Sequence, residues 1–140
     1  MRLVLDTDVV VAGMRSTAGA SAALLLAALE RRLTLCANVA LMLEYEAVCS
    51  RAAHRTAAGL TRKEVDIFLD AIAALVEPVN THFLWRPQLR DPADEMVLEA
   101  AVNGQAQAIV TFNVRDFGTA AARFGVDLLL PREALALLKG

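Results

Sequence analysis

Asp6 and Asp8 leave a short apolar run, Leu3-Val4-Leu5, as two carboxylates two residues apart. Carboxylates held that close repel unless a proton or a cation separates them. Mg²⁺ and Mn²⁺ favour such oxygen ligands, and Mg²⁺ keeps several waters when bound. Further acids stand at Glu44, at Asp91, Asp94, Glu95 and Glu99, and at Asp116. A carboxylate centre at the carboxyl ends of parallel strands suits a divalent ion that lowers the pKa of a water and stabilises charge on phosphorus. That is the chemistry of phosphodiester hydrolysis.

Each of these residues also has a plain structural role open to it. Asp6 and Asp8 can cap a turn or helix. Asp91 is placed as an N-cap, and acids in the first helical turn answer the unpaired amides and the dipole there. Glu44 lies in Leu41-Met42-Leu43-Glu44-Tyr45-Glu46 and is the inward candidate, since Glu46, two positions on, points elsewhere. Asp94, on the first turn of its helix, reaches toward the strand ends. Thr111 and Asn113 offer short polar groups to a water or a phosphate oxygen, or to ordinary turn chemistry. His54 and His82 carry no partner pattern and are expected at the surface. No Ser/His or Cys/His arrangement for a covalent mechanism is evident.

The elements that must position these groups alternate between strand and helix. Leu3-Val4-Leu5 has the uninterrupted apolar character of a buried parallel strand. Residues 7–17 are expected as a loop, marked by Gly13 and Ser16-Thr17, before a helix over 20–31. A strand at 33–36 leads to Asn38 as the N-cap of a helix reaching about Ala53. His54 to Gly59 is expected to break that helix. Thr61 and Glu64 form a capping box opening the next one, with Val65, Phe68, Leu69, Ile72 and Leu75 on one face. A short strand at 76–79 is confined to an edge by Pro78, and 80–92 is less regular. A helix from Pro92-Ala93 to Asn103 follows, then a strand at 108–111 and its exit loop at 113–118. A short helix near 119–124, a strand at 126–130 and a helix at 132–138 behind Pro131 complete the chain. The pattern predicts one α/β domain over 1–140, a three-layer α/β/α sandwich on a mainly parallel twisted sheet. Such sheets bind ligands outside the carboxyl ends of their strands.

Composition narrows the class. The chain has 140 residues, 56% hydrophobic, with a formal net charge of −2. It is long enough for a real core and is not a basic nucleic-acid binder overall. Twelve of its fourteen basic side chains are Arg, a residue that matches phosphate oxygens in two-pronged fashion. Cys36 and Cys49 have neither metal nor redox spacing and are expected as buried thiols. Met1-Arg2-Leu3 runs straight into a strand without the apolar segment of a signal peptide. The longest apolar runs fall far short of the roughly 20 residues that span a bilayer. A cytoplasmic protein without a membrane segment is the expectation.

Taken together, these stretches resemble the PIN-domain nucleases, many of whose small prokaryotic members are ribonuclease toxins of toxin–antitoxin pairs. The resemblance covers nearly the whole chain. It is carried by Val4-Leu5-Asp6-Thr7-Asp8-Val9-Val10, Leu43-Glu44-Tyr45-Glu46, Asp91-Pro92-Ala93-Asp94-Glu95 and Val110-Thr111-Phe112-Asn113-Val114-Arg115-Asp116-Phe117. It implies that Asp6, Glu44 and Asp94 surround one or two Mg²⁺ or Mn²⁺ ions. Many members place a fourth acid two residues after the threonine, where this chain has Asn113; Asp116 is the replacement, or the site uses fewer carboxylates. Asp8 falls where the resemblance often has Asn, and adds ligand charge or accepts a hydrogen bond. Asp6-Thr7-Asp8-Val9-Val10 also fits the D-x-D-x-[T/V] opening of haloacid-dehalogenase-like phosphatases. That family needs a downstream lysine and an acidic pair, and here only Lys139 follows Thr111, with no such pair.

The resemblance implies a metal-dependent endoribonuclease cutting single-stranded RNA, with Asp6, Glu44, Asp94 and Asp116 catalytic and Asp8 assisting at the metal. Thr111, Asn113, Arg15 and Arg115 would position substrate, with Arg51 and Arg55 also near enough to contact flanking phosphates. The implied partners are a cognate antitoxin and a second copy of the chain. Two alternatives stay open: a non-catalytic PIN-like binding domain, and a DNA nuclease of the same chemistry.

Overall fold

A computed structural model describes residues 1–81 and 88–140. Five strands form the central sheet: β1 (Arg2–Leu5), β2 (Thr34–Ala37), β3 (Glu77–Pro78), β4 (Ala108–Val110) and β5 (Asp127–Leu129). Their order is β3-β2-β1-β4-β5, and every pairing is parallel. The helices are α1 (Thr7–Arg15), α2 (Ala20–Leu29), α3 (Val39–Cys49), α4 (Ala52–Ala58), α5 (Arg62–Leu75), α6 (Pro92–Asn103), α7 (Ala120–Arg123) and α8 (Pro131–Lys139). They make the expected α/β/α sandwich around the sheet.

The order places β1 and β4 side by side although a hundred residues separate them, with Leu5 opposite Val110. The chain builds outward from β1 through β2 to β3, then crosses to the other side of β1 for β4 and β5. The reversal opens a crevice at the carboxyl ends of β1 and β4, where open α/β sheets receive ligands. Leu3, Val4, Ile109 and Val110 are fully buried, which accounts for the unbroken apolar runs of these central strands. β3 is short and lies at the sheet's edge, as Pro78 requires.

Two expectations are corrected. Residues 7–17 do not form a loop, because α1 occupies Thr7–Arg15. Its β-branched run is weakly helical in isolation, but Val9, Val10, Val11 and Met14 are buried, and tertiary burial outweighs propensity. Gly13 marks close helix packing there, since a Cβ would lie 2.7 Å from Leu25 Cδ1. His54 to Gly59 is likewise helical, not a break: the interruption falls at Ser50-Arg51, before α4. The alanines of Ala52–Ala58 favour helix, and Gly59 ends it at φ +69°.

The capping box of α5 is formed, with Thr61 Oγ1 accepting from the Glu64 amide at 3.2 Å and Glu64 Oε1 from the Thr61 amide at 3.0 Å. Cys36 and Cys49 are buried free thiols. His82 lies outside the described residues. Among those described, no single helix is long and apolar enough to cross a membrane.

Candidate active site

Asp6 is the first residue beyond β1 and the N-cap of α1, so one side chain joins the sheet to a helix start. Its amide donates to the Val110 carbonyl at 2.9 Å, extending the β1–β4 ladder by one step. Its Oδ1 accepts from the Thr7 amide and its Oδ2 from the Thr111 hydroxyl, each at 2.8 Å. The same hydroxyl accepts from the Asn113 amide at 2.9 Å. Thr111 is fully buried, and its hydroxyl links Asp6 to the Asn113 backbone. Behind this point the Tyr45 hydroxyl, also buried, donates to the carbonyl of Leu5. The backbone leading into Asp6 is therefore held from two sides.

Asp8, in the first turn of α1, faces the loop that leaves β4. Its Oδ2 accepts from the Phe112 amide at 3.2 Å and from Asn113 Nδ2 at 2.9 Å. Its other oxygen, Oδ1, is buried and has no hydrogen-bond partner among the described residues. Asp91 caps α6 by accepting from the Ala93 amide at 2.9 Å. Asp94, half-buried, follows on its first turn, and Asp116 sits exposed on the 3₁₀ turn Val114–Phe117.

The electrostatics tie these acids together. Burial raises the Asp6 pKa; the hydrogen bonds from Thr111 and Thr7 work against it, while Asp116 and Asp91 add to it. Burial, and then the charge on Asp6, push Asp8 up to about 6. Asp94 is also pushed up to about 6, first by burial and then by Asp6, Asp91 and Asp116. Asp6 thus interacts with acids from α1, from α6 and from the turn after β4. These are mutually unfavourable charges in a partly dehydrated crevice, a pattern concentrated at functional sites.

Two cavities divide the remaining residues. Asp8, Glu44 and Arg15 line one of about 610 Å³, with His54, Val48 and Phe112. Asp94, Asp116 and Arg115 line another of about 530 Å³, with Arg90 and Arg123. Glu46, as its spacing predicts, faces a different space, a cavity of about 730 Å³ that it lines with Met42 and Leu69. Among the described residues, no three His, Cys, Asp or Glu side chains converge closely enough to ligate one metal ion.

Several contributors were not singled out in the sequence. Glu95 is buried on α6, where its carboxylate accepts from the Gln88 amide at 3.0 Å and the Leu89 amide at 2.9 Å. It holds the segment leading to Asp91 and Asp94. In the sequence it reads only as one more acid of a helical first turn. His54 is not a plain surface histidine: it is half-buried, and its Nδ1 is enclosed without a partner among the described residues. Arg90 and Arg123 reach the second cavity from separate elements, which no local spacing announces.

A sequence model of the PIN domain matches residues 2–115, most of the chain. The chain belongs to the PIN-domain family. No curated protein and no solved structure gives a significant match. PIN domains are generally nucleases and typically use divalent metal ions. The matched part of this PIN domain contains Asp6, Asp8, Glu44, Asp94, Thr111 and Asn113 and stops one residue before Asp116. Beyond it, β5 completes the sheet beside β4.

Proposed function

We propose that this PIN domain is a divalent-metal-dependent endoribonuclease acting on single-stranded RNA, and the toxin of a toxin–antitoxin pair. The observation that carries the reading is the coupling of Asp6, Asp8, Asp94 and Asp116 at the β1–β4 crevice, with one buried oxygen of Asp8 unpartnered among the described residues. Hard carboxylate oxygens gathered in a partly buried crevice, where burial and neighbouring acids raise Asp6, Asp8 and Asp94, suit Mg²⁺ or Mn²⁺ by donor chemistry. Asp6, Asp8, Asp94 and Asp116 would hold one or two such ions by drawing in around them, since no three of the described carboxylates converge without an ion, with Glu44 entering from the Asp8 side. When bound, the ion supplies charge for the phosphorane-like transition state and a more acidic water.

The chain's own residues orient and screen. Thr111 and the α1 amide at Thr7 fix both oxygens of Asp6, so its direction is set before substrate arrives. Arg90, Arg115 and Arg123 border the Asp94–Asp116 cavity, and Arg15 borders the Asp8–Glu44 cavity. Guanidinium groups so placed would take phosphates on either side of the cleaved one, positioning the strand without reading its bases.

The resemblance also bears on Asn113. It expects an acid there and often Asn at position 8; here the acid is Asp8 and the amide Asn113, and the two side chains touch at 2.9 Å. The acid and amide have changed places across one contact. This favours a working site over a degraded binding module.

The purified chain should cleave unstructured RNA with Mn²⁺ or Mg²⁺ and stop with EDTA. Asp6→Asn, Asp94→Asn and Glu44→Gln should each lose at least about a hundred-fold in kcat/KM while keeping the wild-type circular dichroism. If wild type binds no divalent ion, and the variants match it on RNA, the reading fails. DNA of the same sequence run in parallel decides between the sugars, since recognition of the 2′-hydroxyl marks an RNA enzyme. The toxin reading brings an antitoxin that covers the crevice, a second copy of the chain and a cytoplasmic site of action. Expression of wild type, but not Asp6→Asn, should arrest growth, and sedimentation should give twice the chain mass.

A further inference from the structure

The cavity of about 610 Å³ beside Asp8 and Glu44 differs from its neighbour across the site. Where the Asp94 side carries three arginines, this one has one, Arg15, beside apolar walls that include Val11, Val48 and Phe112. Phe112 is the first residue after Thr111 and is half exposed, at 50%. An exposed aromatic at that position has no core to fill, yet its backbone is fixed, because the Phe112 amide donates to Asp8. The ring is thereby tied to the carboxylate centre.

A second observation is independent of the apolar walls. Two buried polar side-chain atoms lack a hydrogen-bond partner among the described residues, Asp8 Oδ1 and His54 Nδ1. Both belong to residues lining this one cavity. Buried polar groups in folded proteins are nearly always paired, so two orphans on residues of one cavity mark it as a place where a bound group, seated with a small turn of the Asp8 and His54 side chains, would complete the pairing. The ligand must be flat or apolar enough for Phe112 and Val48 and must carry polar edges toward His54. It must also be continuous with whatever occupies the Asp8–Glu44 centre. The volume lies within the range of small-molecule sites.

We propose that this cavity is a nucleobase subsite: it receives the base adjoining the cleaved phosphate, stacked on Phe112 with its polar edge toward His54. A stack on an aromatic ring suits single strands because every base has a π-face. The subsite rests on the nuclease reading given above, and it makes the strand's course asymmetric. Three arginines grip backbone phosphates on the Arg90, Arg115 and Arg123 side, whereas on the Phe112 side a base is seated and Arg15 takes the phosphate beside it.

The test uses the full chain in Mg²⁺ with a short single-stranded RNA in which one abasic nucleotide is moved position by position. Loss of one base–aromatic stack should weaken KM for wild type by roughly ten-fold or more at a single position next to the cut. Phe112→Ala should show that weakening on intact RNA and no further loss at the abasic position. Phe112→Tyr should behave as wild type, and His54→Ala should weaken intact RNA while leaving the abasic strand unchanged. A 2-aminopurine at the same position should lose emission on binding wild type and not on binding Phe112→Ala. Thermal melting of each variant checks that the exposed ring is not needed for folding. If wild type cleaves RNA but Phe112→Ala keeps its KM and its abasic sensitivity, the subsite is refuted and the nuclease reading stands. If wild type neither binds nor cleaves any nucleic acid, both fail together.

Discussion

Replacing Asp8 with Asn removes a charge that folding penalises. The carboxyl of Asp8 rises from the ordinary 3.8 to about 6, chiefly through burial and then through Asp6. At 1.36 kcal/mol per pKa unit, that is at most about 3 kcal/mol held against the folded, metal-free protein at neutral pH. Asp8 is only partly enclosed and solvent screens part of this, so about 1–2 kcal/mol is the expected gain for Asp8→Asn. The asparagine carbonyl can still accept from Phe112 and Asn113, and its amide replaces one unpartnered buried atom by another. The hydrogen-bond tally is therefore unchanged to first order.

The sign fixes the pH window. Folded Asp8 binds its proton more tightly than unfolded Asp8, so its contribution to stability is fully present below about pH 4 and is lost as pH rises through about 6. Asp8→Asn lacks that loss, so its advantage is absent near pH 4 and complete above about pH 7. For 140 residues the unfolding entropy is roughly 0.3 kcal/mol per kelvin, and the gain is about 3–7 °C in Tm. Scanning calorimetry in EDTA at pH 4 to 8 measures it. Added Mg²⁺ should raise the Tm of wild type more than that of the variant, and RNA cleavage should fall. An advantage equal at pH 4 and pH 8, or a variant less stable at every pH, would refute the argument that Asp8 carries an uncompensated charge.

Thr111→Val removes one hydroxyl that both donates to Asp6 and accepts from the Asn113 amide. It should cost about 2 kcal/mol in urea unfolding at pH 8 and less at pH 4, where Asp6 is more fully protonated. Gly104→Ala should destabilise by about 1–3 kcal/mol, because its Cβ would meet the Ala100 carbonyl at 2.7 Å and Val79 Cγ2 at 2.8 Å. Gly13→Ala meets only the rotatable end of Leu25, and its better helix propensity offsets the clash, so its melting point should stay close to wild type. Arg115→Ala and Arg123→Ala should each weaken RNA binding without changing base preference. Each should also reduce the slope of log K against log salt by about 0.7, the value for one single-strand phosphate contact.

The strands, α5, α6 and α8 were legible because their signals are local. Apolar runs, the Thr61–Glu64 capping box and Pro at the first turn each report on residues a few positions apart. α1 and α4 were misread for opposite reasons. α1 is a run of valines that helical propensity disfavours and that burial makes helical anyway. α4 lacks a buried residue, so no apolar periodicity marks it, and only its alanines argue for helix. In the site, Asp6, Glu44 and Asp94 could be nominated from strand and helix ends. The bond from Thr111 to Asp6 spans 105 positions and depends on the β1–β4 register, which no spacing in the sequence encodes. Glu95 was hidden for a different reason: its partners at Gln88 and Leu89 lie only a few positions away, but nothing in their residue types marks the turn that brings their amides onto its carboxylate.

The places where local rules are broken coincide with the site, and that coincidence carries information. Elsewhere among the described residues the buried strands are apolar, the starts of α3, α5 and α6 are capped by side chains, and both thiols lie quietly in the core. At the β1–β4 crevice the chain gathers carboxylates whose pKa burial and neighbouring charge raise, and among the described residues Asp8 Oδ1 and His54 Nδ1 have no partners. A folded chain gains nothing in stability from such an arrangement, and Asp8→Asn should show as much. Strain of this kind persists where a ligand relieves it. The two halves of the strain call for different relief. The coupled carboxylates need positive charge, which a divalent ion would bring. The Phe112–His54 side needs a flat group with polar edges, which a nucleobase would bring. One single-stranded RNA crossing the crevice with its ion would satisfy both, so the charge and the apolar cavity are better explained together than apart.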